Sequence, residues 1–330
     1  MINRSAWLAG VLLLACVEAG TASIKQDDSL EAGRHAYEGS EYPKAVQILQ
    51  ASAAREPQNA EIQLLLTKSY YELQEHDAAI ASAEKAVALD PRNSTYHEWL
   101  GRAYGDKAEH SGMFSAMSLA KKTHREFEQA VQLNERNFSA QQALIEFDCS
   151  APGIVGGGED KARPLIERLS ALDVAEGHYA AGNCRRQKKD FTTADTEFTR
   201  ALESKPQSPD LIYDIGDYAM KRSQADRLFT VTEAGERIAP ADPRGNFYRG
   251  VALVLKIEKM EEAERLLREY LRKAPKRSGY PAPSLAHEWL GKLFEQQNQR
   301  KAAETEYQEA VKLDPKNKLA REGLKRTEKN

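Results

Sequence analysis

The feature that most constrains this chain is a helix-stop signal that returns in phase. Prolines at 57, 91, 206, 240, 275 and 315 are separated by 34, 115, 34, 35 and 40 residues. Two of them sit in near-identical settings, Ala88-Leu89-Asp90-Pro91-Arg92-Asn93 and Lys312-Leu313-Asp314-Pro315-Lys316-Asn317, and Gln132-Leu133-Asn134-Glu135-Arg136-Asn137 repeats the setting without proline. Proline ends a helix because it has no N–H to donate and pushes its predecessor out of the helical region. A stop every 34 residues therefore predicts short helices delivered in pairs. In such an architecture each unit packs only on its neighbours, so 330 residues need not divide into ordinary domains.

Small and aromatic residues recur on the same beat. Residues 94–137 contain Leu100-Gly101, Tyr104, Phe127 and Ala130. Residues 175–208 contain Gly182, Ala194, Phe198, Ala201 and Pro206, and residues 284–317 contain Leu290-Gly291, Phe294, Ala303, Tyr307, Ala310 and Pro315. Gly or Ala on a first helix and two Ala on a second let two antiparallel backbones approach, and the aromatics fill the gaps. The pattern resembles the tetratricopeptide repeat (TPR), whose length is 34 residues. The resemblance implies an all-α, right-handed superhelical solenoid of about eight helical hairpins: 26–59, 60–93, 94–137, 138–174, 175–208, 209–242, 243–277 and 284–317. The first, fourth, sixth and seventh are degenerate. Residues 318–330 read as a polar capping helix, which keeps the end of a stack soluble. Ser278 to Pro283 forms a Pro-rich joint, so repeats one to seven occupy 23–277 and the eighth repeat with its cap 278–330.

Two insertions break the beat. The third repeat is about ten residues too long, near 106–118, and His110 to Met117 is expected between its helices. In the fourth, Ala151-Pro152-Gly153-Ile154-Val155-Gly156-Gly157-Gly158 replaces the tight turn. This Ala-Pro-Gly loop followed by glycines is similar to one in a group of exported bacterial TPR proteins with no known activity. Residues 152–158 are read as a flexible hairpin loop that tucks Ile154 and Val155 against the repeats, or as a contact loop for a partner. A phosphate site on the loop is disfavoured, since Gly-Lys-Ser/Thr is missing and no strand precedes it.

The N-terminus reads as an export signal, with a charge in Met1 to Arg4, an apolar run from Ala6 to Val17 and small residues after it. Cleavage after Ala22 competes with lipoprotein processing before Cys16, where Leu13-Leu14-Ala15-Cys16 resembles a lipobox with an over-large Leu14. The expectation is a periplasmic or secreted protein or, alternatively, a lipoprotein anchored at Cys16. No later stretch approaches the roughly 20 apolar residues a spanning helix needs. Cys149 and Cys184 are then the only other thiols, too few for a disulfide framework. One disulfide between them is open, and two separately buried thiols are the expectation.

Charge excludes little. Lys and Arg number 47 against 50 Asp and Glu, which gives no whole-chain case for nucleic acid. Residues 243–330 hold 20 basic and 13 acidic side chains, while residues 23–137 hold 13 and 18. Solvated faces account for such a gradient more readily than a partner does. No His-Glu-x-x-His, Gly-x-Ser-x-Gly or cofactor motif is present, and the repeats leave no room for a catalytic domain. No enzyme activity, metal or cofactor is expected.

The candidate site is the concave face. In TPR proteins first-helix positions 2, 5, 9 and 12, with 6 alongside, tend to face the ligand. The resemblance therefore implies Glu98, Trp99 and Arg102 in repeat three; Tyr179, Asn183 and Arg186 in repeat five; Tyr213 and Asp217 in repeat six; Phe247 and Tyr248 in repeat seven; and Glu288, Trp289 and Lys292 in repeat eight. His97-Glu98-Trp99-Leu100-Gly101 recurs unchanged as His287-Glu288-Trp289-Leu290-Gly291. Aromatic anchors flanked by cations and amides suit a peptide groove, although rings at helical spacing also fill cores. The Lys and Asn set that grips a terminal carboxylate in chaperone-binding relatives is not reproduced, with Leu30, Arg34 and Leu65 where it would begin. The expected function is a non-catalytic envelope scaffold or adaptor for a protein or extended peptide. The alternatives are a structural subunit of an envelope or secretion complex and, more distantly, a small-molecule or phosphate binder.

Overall fold

The computed structural model describes residues 29–328. The export signal and Cys16 lie outside them. The chain divides into two compact units, Met1–Pro91 and Arg92–Asn330, and the described residues of both are helical hairpins without a strand.

The first unit contains α1 (29–38), α2 (Tyr42–Arg55), α3 (Ala60–Glu72) and α4 (His76–Leu89). Asn59 caps α3 by accepting from the Glu61 and Ile62 amides, which satisfies two of the donors a helix start leaves open. Small residues bury one face of α4, Ala79, Ala83 and Ala86, opposite Ile62, Leu66 and Tyr70 of α3. An alanine face lets the two helix axes draw close. Arg34 of α1 pairs with Glu61 of α3.

The second unit runs α5 (Ser94–Glu109), α6 (Met113–Leu133), α7 (Phe138–Ser150), a 3-10 turn (Gly153–Val155), α8 (Glu159–Leu172), α9 (Val174–Gln187), α10 (Phe191–Glu203), α11 (Pro209–Lys221), α12 (Ala225–Ile238), α13 (Arg244–Lys256), α14 (Met260–Lys273), α15 (Pro283–Gln296), α16 (Arg300–Leu313) and α17 (Lys318–Glu328). Each helix but α10 packs on the next, and first helices of adjacent hairpins also touch: α5 on α7, α7 on α9, α11 on α13, α13 on α15 and α15 on α17. One apolar core runs from Ala194 to Ala320. Fully buried rings such as Phe198 and Phe247 each contribute about 1.5–3 kcal/mol by leaving water.

The period is visible in the backbone. Inside the hairpins a non-glycine residue turns left-handed at Ser40 and Gln74, then at Lys189, Ser223 and Ile257. Within each set the interval is the 34 residues of the sequence beat. Such a residue closes the end of the first helix before the chain reverses.

Two expectations are corrected. The extra residues of the third repeat are helix rather than loop: only His110 to Gly112 separate α5 from α6, and Met113 to Met117 begin a helix of 21 residues. Gly112 stands at its N-cap, and the alanine, leucine and lysine that follow favour helix. Cys149 of α7 and Cys184 of α9 are joined in a disulfide, with Cα atoms 5.3 Å apart, where separate burial had been the expectation. Both sit on first helices of adjacent hairpins, and direct packing of α7 on α9 brings them within bonding reach.

The Pro-rich joint before α15 is tied down. The Arg244 guanidinium lies 4.5 Å from the ring centroids of both Tyr213 and Tyr280 and donates to the Gly279 carbonyl at 3.1 Å. Tyr270 donates to the Pro281 carbonyl.

Candidate functional site

The repeated pentapeptide is first a stacking device. His97 Nδ1 donates to Glu126 Oε2 at 2.7 Å across the third hairpin, and His287 Nδ1 to Glu306 Oε2 at 2.7 Å across the eighth. Glu98 accepts from Asn137 Nδ2 at 3.1 Å and Glu288 from Asn317 Nδ2 at 2.8 Å. Asn137 and Asn317 use their side-chain oxygens to cap the next helices, bonding the Ala140 and Ala320 amides. The glutamate thus takes up the amide protons that a capping Asn has left over. Leu100 and Leu290 are buried. A side chain at Gly101 or Gly291 would strike Phe127 or Tyr307 at 2.6 Å.

Part of the predicted row therefore faces inward. Glu98, 5% exposed, also accepts from Arg102 Nε at 2.9 Å and from Ser139 Oγ at 2.6 Å. It holds repeats together rather than facing a partner. Tyr213, Phe247 and Tyr248 are at most 1% exposed and belong to the core. The Tyr213 and Tyr248 rings stack 5.6 Å apart, and Phe247 lies against Tyr248 and Tyr270. Their helix α11 packs on α12 and α13, and α13 packs on α11, α12, α14 and α15, which leaves these positions no outward face. Asn183 is buried too, and its carbonyl oxygen has no hydrogen-bond partner.

The half-buried members of the row bridge adjacent first helices. Tyr179 donates to Asp214 Oδ2 at 2.8 Å, with Arg186 3.8 Å from the same oxygen. Tyr248 donates to Asp217 Oδ1 at 2.7 Å. Burial, with the neighbouring carboxylates adding, holds both phenols well above their usual range, and burial pushes Asp217 up. Trp99 is half-buried beneath Arg102, whose Cζ lies 5.8 Å from the ring.

Around Trp289 the arrangement opens into a cavity of about 640 Å³, inside the roughly 300–1,000 Å³ range of ligand clefts. The C-terminal end of α11 supplies Met220, Lys221 and Ser223 follows it, and α15 supplies Leu285, Glu288, Trp289, Lys292, Glu295 and Gln296. Tyr307 of α16 and Leu319 and Arg326 of α17 complete it. Lys292 Nζ sits 4.4 Å from the Trp289 ring. Burial lowers the Lys292 pKa and raises that of Glu288. Glu295 is held below its usual range by Arg326, which donates to it at 2.7 and 2.8 Å, and Tyr307 donates at 2.7 Å. Of the thirteen predicted groove residues the structure brings three, Glu288, Trp289 and Lys292, to this cavity. Met220, Leu285, Gln296 and Arg326 were not singled out, and Leu319, expected to cover the last repeat as part of the cap, is 62% exposed. The in-phase Asn317 next to Leu319 could have flagged the α17 wall, because it sets the cap helix as one more first helix.

The insertions meet each other. The 3-10 turn packs on α6, and a side chain at Gly156, whose φ is 112°, would strike the His124 ring at 2.8 Å. Gly158 N–H donates to the Asp148 carbonyl at 2.8 Å and Lys161 Nζ to the Gly156 carbonyl at 2.6 Å. His124 Nε2 lies 3.2 Å from Asp148 Oδ1, and neither atom has another partner. Burial pushes Asp148 up to about 6, against the opposing pull of His124 and Lys161. In the loop Val155 is buried, while Pro152, Gly153 and Ile154 are exposed, Ile154 by 66%. Only one of the two apolar residues expected to tuck in does so. The partly closed Gly156, Gly157 and Gly158 backbone leads into α8.

Comparison with known proteins agrees with the helical-hairpin fold. A tetratricopeptide-repeat family model matches residues 30–94, 64–107 and 253–318. No curated protein matches the sequence. Among solved structures, the APC/C hetero-tetramer Cut9-Hcn1 is similar at 14% identity and a TM-score of 0.50, over 94% of this chain and 57% of that one. MamA is 22% identical with a TM-score of 0.40, over 52% of this chain and 93% of that one. The C-terminal part of a TPR repeat-containing protein from Cytophaga hutchinsonii is 16% identical with a TM-score of 0.41, over 89% and 99%. At 14% identity the likeness to the Cut9-Hcn1 assembly is one of fold alone.

Proposed function

The chain is a tetratricopeptide-repeat protein, and on that footing we propose that it is a non-catalytic scaffold or adaptor of the bacterial cell envelope. It holds a protein or an extended peptide against the first helices of its C-terminal repeats. The observation that carries this reading is the cavity of about 640 Å³ walled by α11, α15 and α17. It combines an aromatic anchor, exposed or half-buried aliphatic side chains and a few polar groups, the mixture by which repeat proteins seize a segment without chemistry. Export is supported by the apolar run and small residues of the first 22 positions, and by the Cys149–Cys184 bond, which suits an oxidising compartment.

The test is binding of the full mature chain to an array of immobilised peptides, beside a Leu319→Asp variant. Leu319 is 62% exposed, so the variant is expected to stay folded by circular dichroism. Retention of peptides by the parent and their loss from the variant supports the reading. Equal binding by both moves the site away from the cavity, and no binding by either sinks it.

A second reading, a structural subunit of an envelope assembly, is favoured by the apolar tips of the insertions. Met113, Phe114 and Ile154 are 71%, 84% and 66% exposed. Co-purification of a stable assembly that Phe114→Ser dissolves would support it.

A further inference from the structure

The polar groups around Trp289 divide into those already engaged and those left over. Both oxygens of Glu295 are engaged by Arg326 and Tyr307. Glu288, 8% exposed, is held by Asn317. The anions are thus occupied or withdrawn. Among the described residues neither Lys221 nor Lys292 makes an ion pair; Lys292 rests on the Trp289 ring and Lys221 is exposed at the end of α11. A third group is also left over, since Gln296 Oε1 is buried without a hydrogen-bond partner. The charge on offer to a ligand is therefore positive. The surrounding chain leans the same way, with 20 basic against 13 acidic side chains from 243 to 330.

We propose that this cavity takes an internal peptide segment in which a large apolar side chain is followed by an aspartate or glutamate. The apolar side chain lies among Met220, Leu285 and Leu319 on the Trp289 wall. Lys292 and Lys221 hold the neighbouring carboxylate, and a backbone N–H of the segment reaches the orphaned Gln296 oxygen. Each part answers a separate need: an aliphatic wall that is incompletely covered, two cations outside any ion pair and an unsatisfied buried acceptor.

The inference rests on the scaffold reading, and its test separates the two. Fluorescence anisotropy of the full mature chain is measured with short labelled peptides that share a leucine-phenylalanine anchor and differ only in the two residues after it: aspartates, asparagines or lysines. The aspartate peptide is expected to bind about tenfold tighter than the asparagine peptide, with the gap closing as salt is added. In a Lys221→Glu, Lys292→Glu variant the order reverses in favour of lysine. Lys221→Glu alone, at an exposed position, narrows the gap without touching the core. Equal binding of all three peptides overturns the charge inference and leaves the scaffold reading standing, as does a preference for lysine in the parent protein. Failure of all three on a chain that retains array peptides overturns the inference alone. Failure of both experiments overturns the two together.

Discussion

The third and eighth repeats carry the same five residues and surround them differently. In both, the histidine reaches the second helix, the glutamate serves the next capping Asn, and the glycine receives a ring. Two of the positions at which they part bear on the tryptophan. Three residues past the tryptophan stands Arg102 in one and Lys292 in the other, and two residues past the capping Asn stands Ser139 in one and Leu319 in the other. Arg102 donates to Glu98 and to Ser139, at 2.9 Å each, and Ser139 donates to Glu98 in turn, which locks the cation over Trp99. Leucine cannot complete that network, so Lys292 stays uncommitted over Trp289 beside a cavity. A common scaffold plus two side chains separates a closed junction from an open one.

The shared part should break alike in both repeats. A valine at Gly101 or Gly291 drives its side chain into Phe127 or Tyr307, where the first carbon already sits at 2.6 Å. Each is expected to destabilise the protein by about 3 kcal/mol, the upper end of overpacking, measured by urea unfolding. A difference of more than about 1 kcal/mol between the two variants would end the claim that they are equivalent.

The glutamates should differ. Glu98→Ala removes one hydrogen bond each from Asn137, Arg102 and Ser139, whereas Glu288→Ala removes the one from Asn317. Losses of about 2 kcal/mol and about 1 kcal/mol are expected. Equal losses would mean that the network around Arg102 adds nothing.

The divergent part should be transplantable. Lys292→Arg with Leu319→Ser rebuilds the network of the third repeat in the eighth. Thermal stability is expected to hold within about 1 kcal/mol, since both positions are partly exposed, while affinity for the aspartate peptide falls about tenfold. Retained affinity would show that the open cation and the aliphatic wall are not what binds.

How much of this was legible in the sequence follows from which signals are periodic. The hairpins were readable because proline, glycine and alanine act on the backbone, and backbone geometry repeats. The Cys149–Cys184 bond was not, because its geometry depends on how α7 packs on α9. Tyr213, Phe247 and Tyr248 were misplaced for a related reason: position within a repeat specifies the helix face, but not how much of that face the next first helix covers. The Trp289 cavity was half legible. Its α15 side followed from the repeat position, whereas Met220 and Leu319 enter from helices on either side.

The smallest expected effect tests whether the open junction is electrostatically incomplete. Burial raises the Glu288 pKa above its ordinary 4.5 and lowers that of Lys292 below 10.5. A carboxyl with a raised folded pKa binds its proton more readily folded than unfolded, so its contribution to stability falls as pH rises through 4.5 toward the folded value. An amine with a lowered pKa loses its proton more readily folded, so its contribution falls as pH drops from above 10.5 toward the folded value. Both groups are therefore at a disadvantage when charged at neutral pH, as expected where Glu288 and Lys292 lie in one cavity without pairing. Glu288→Gln should flatten the acid-side slope of the melting temperature, and Lys292→Met the alkaline-side slope. Saturation with the aspartate peptide should reduce only the alkaline one, because its carboxylate faces Lys292. A peptide that changes both slopes, or neither, would show that its acid is not held where the structure leaves the cation open.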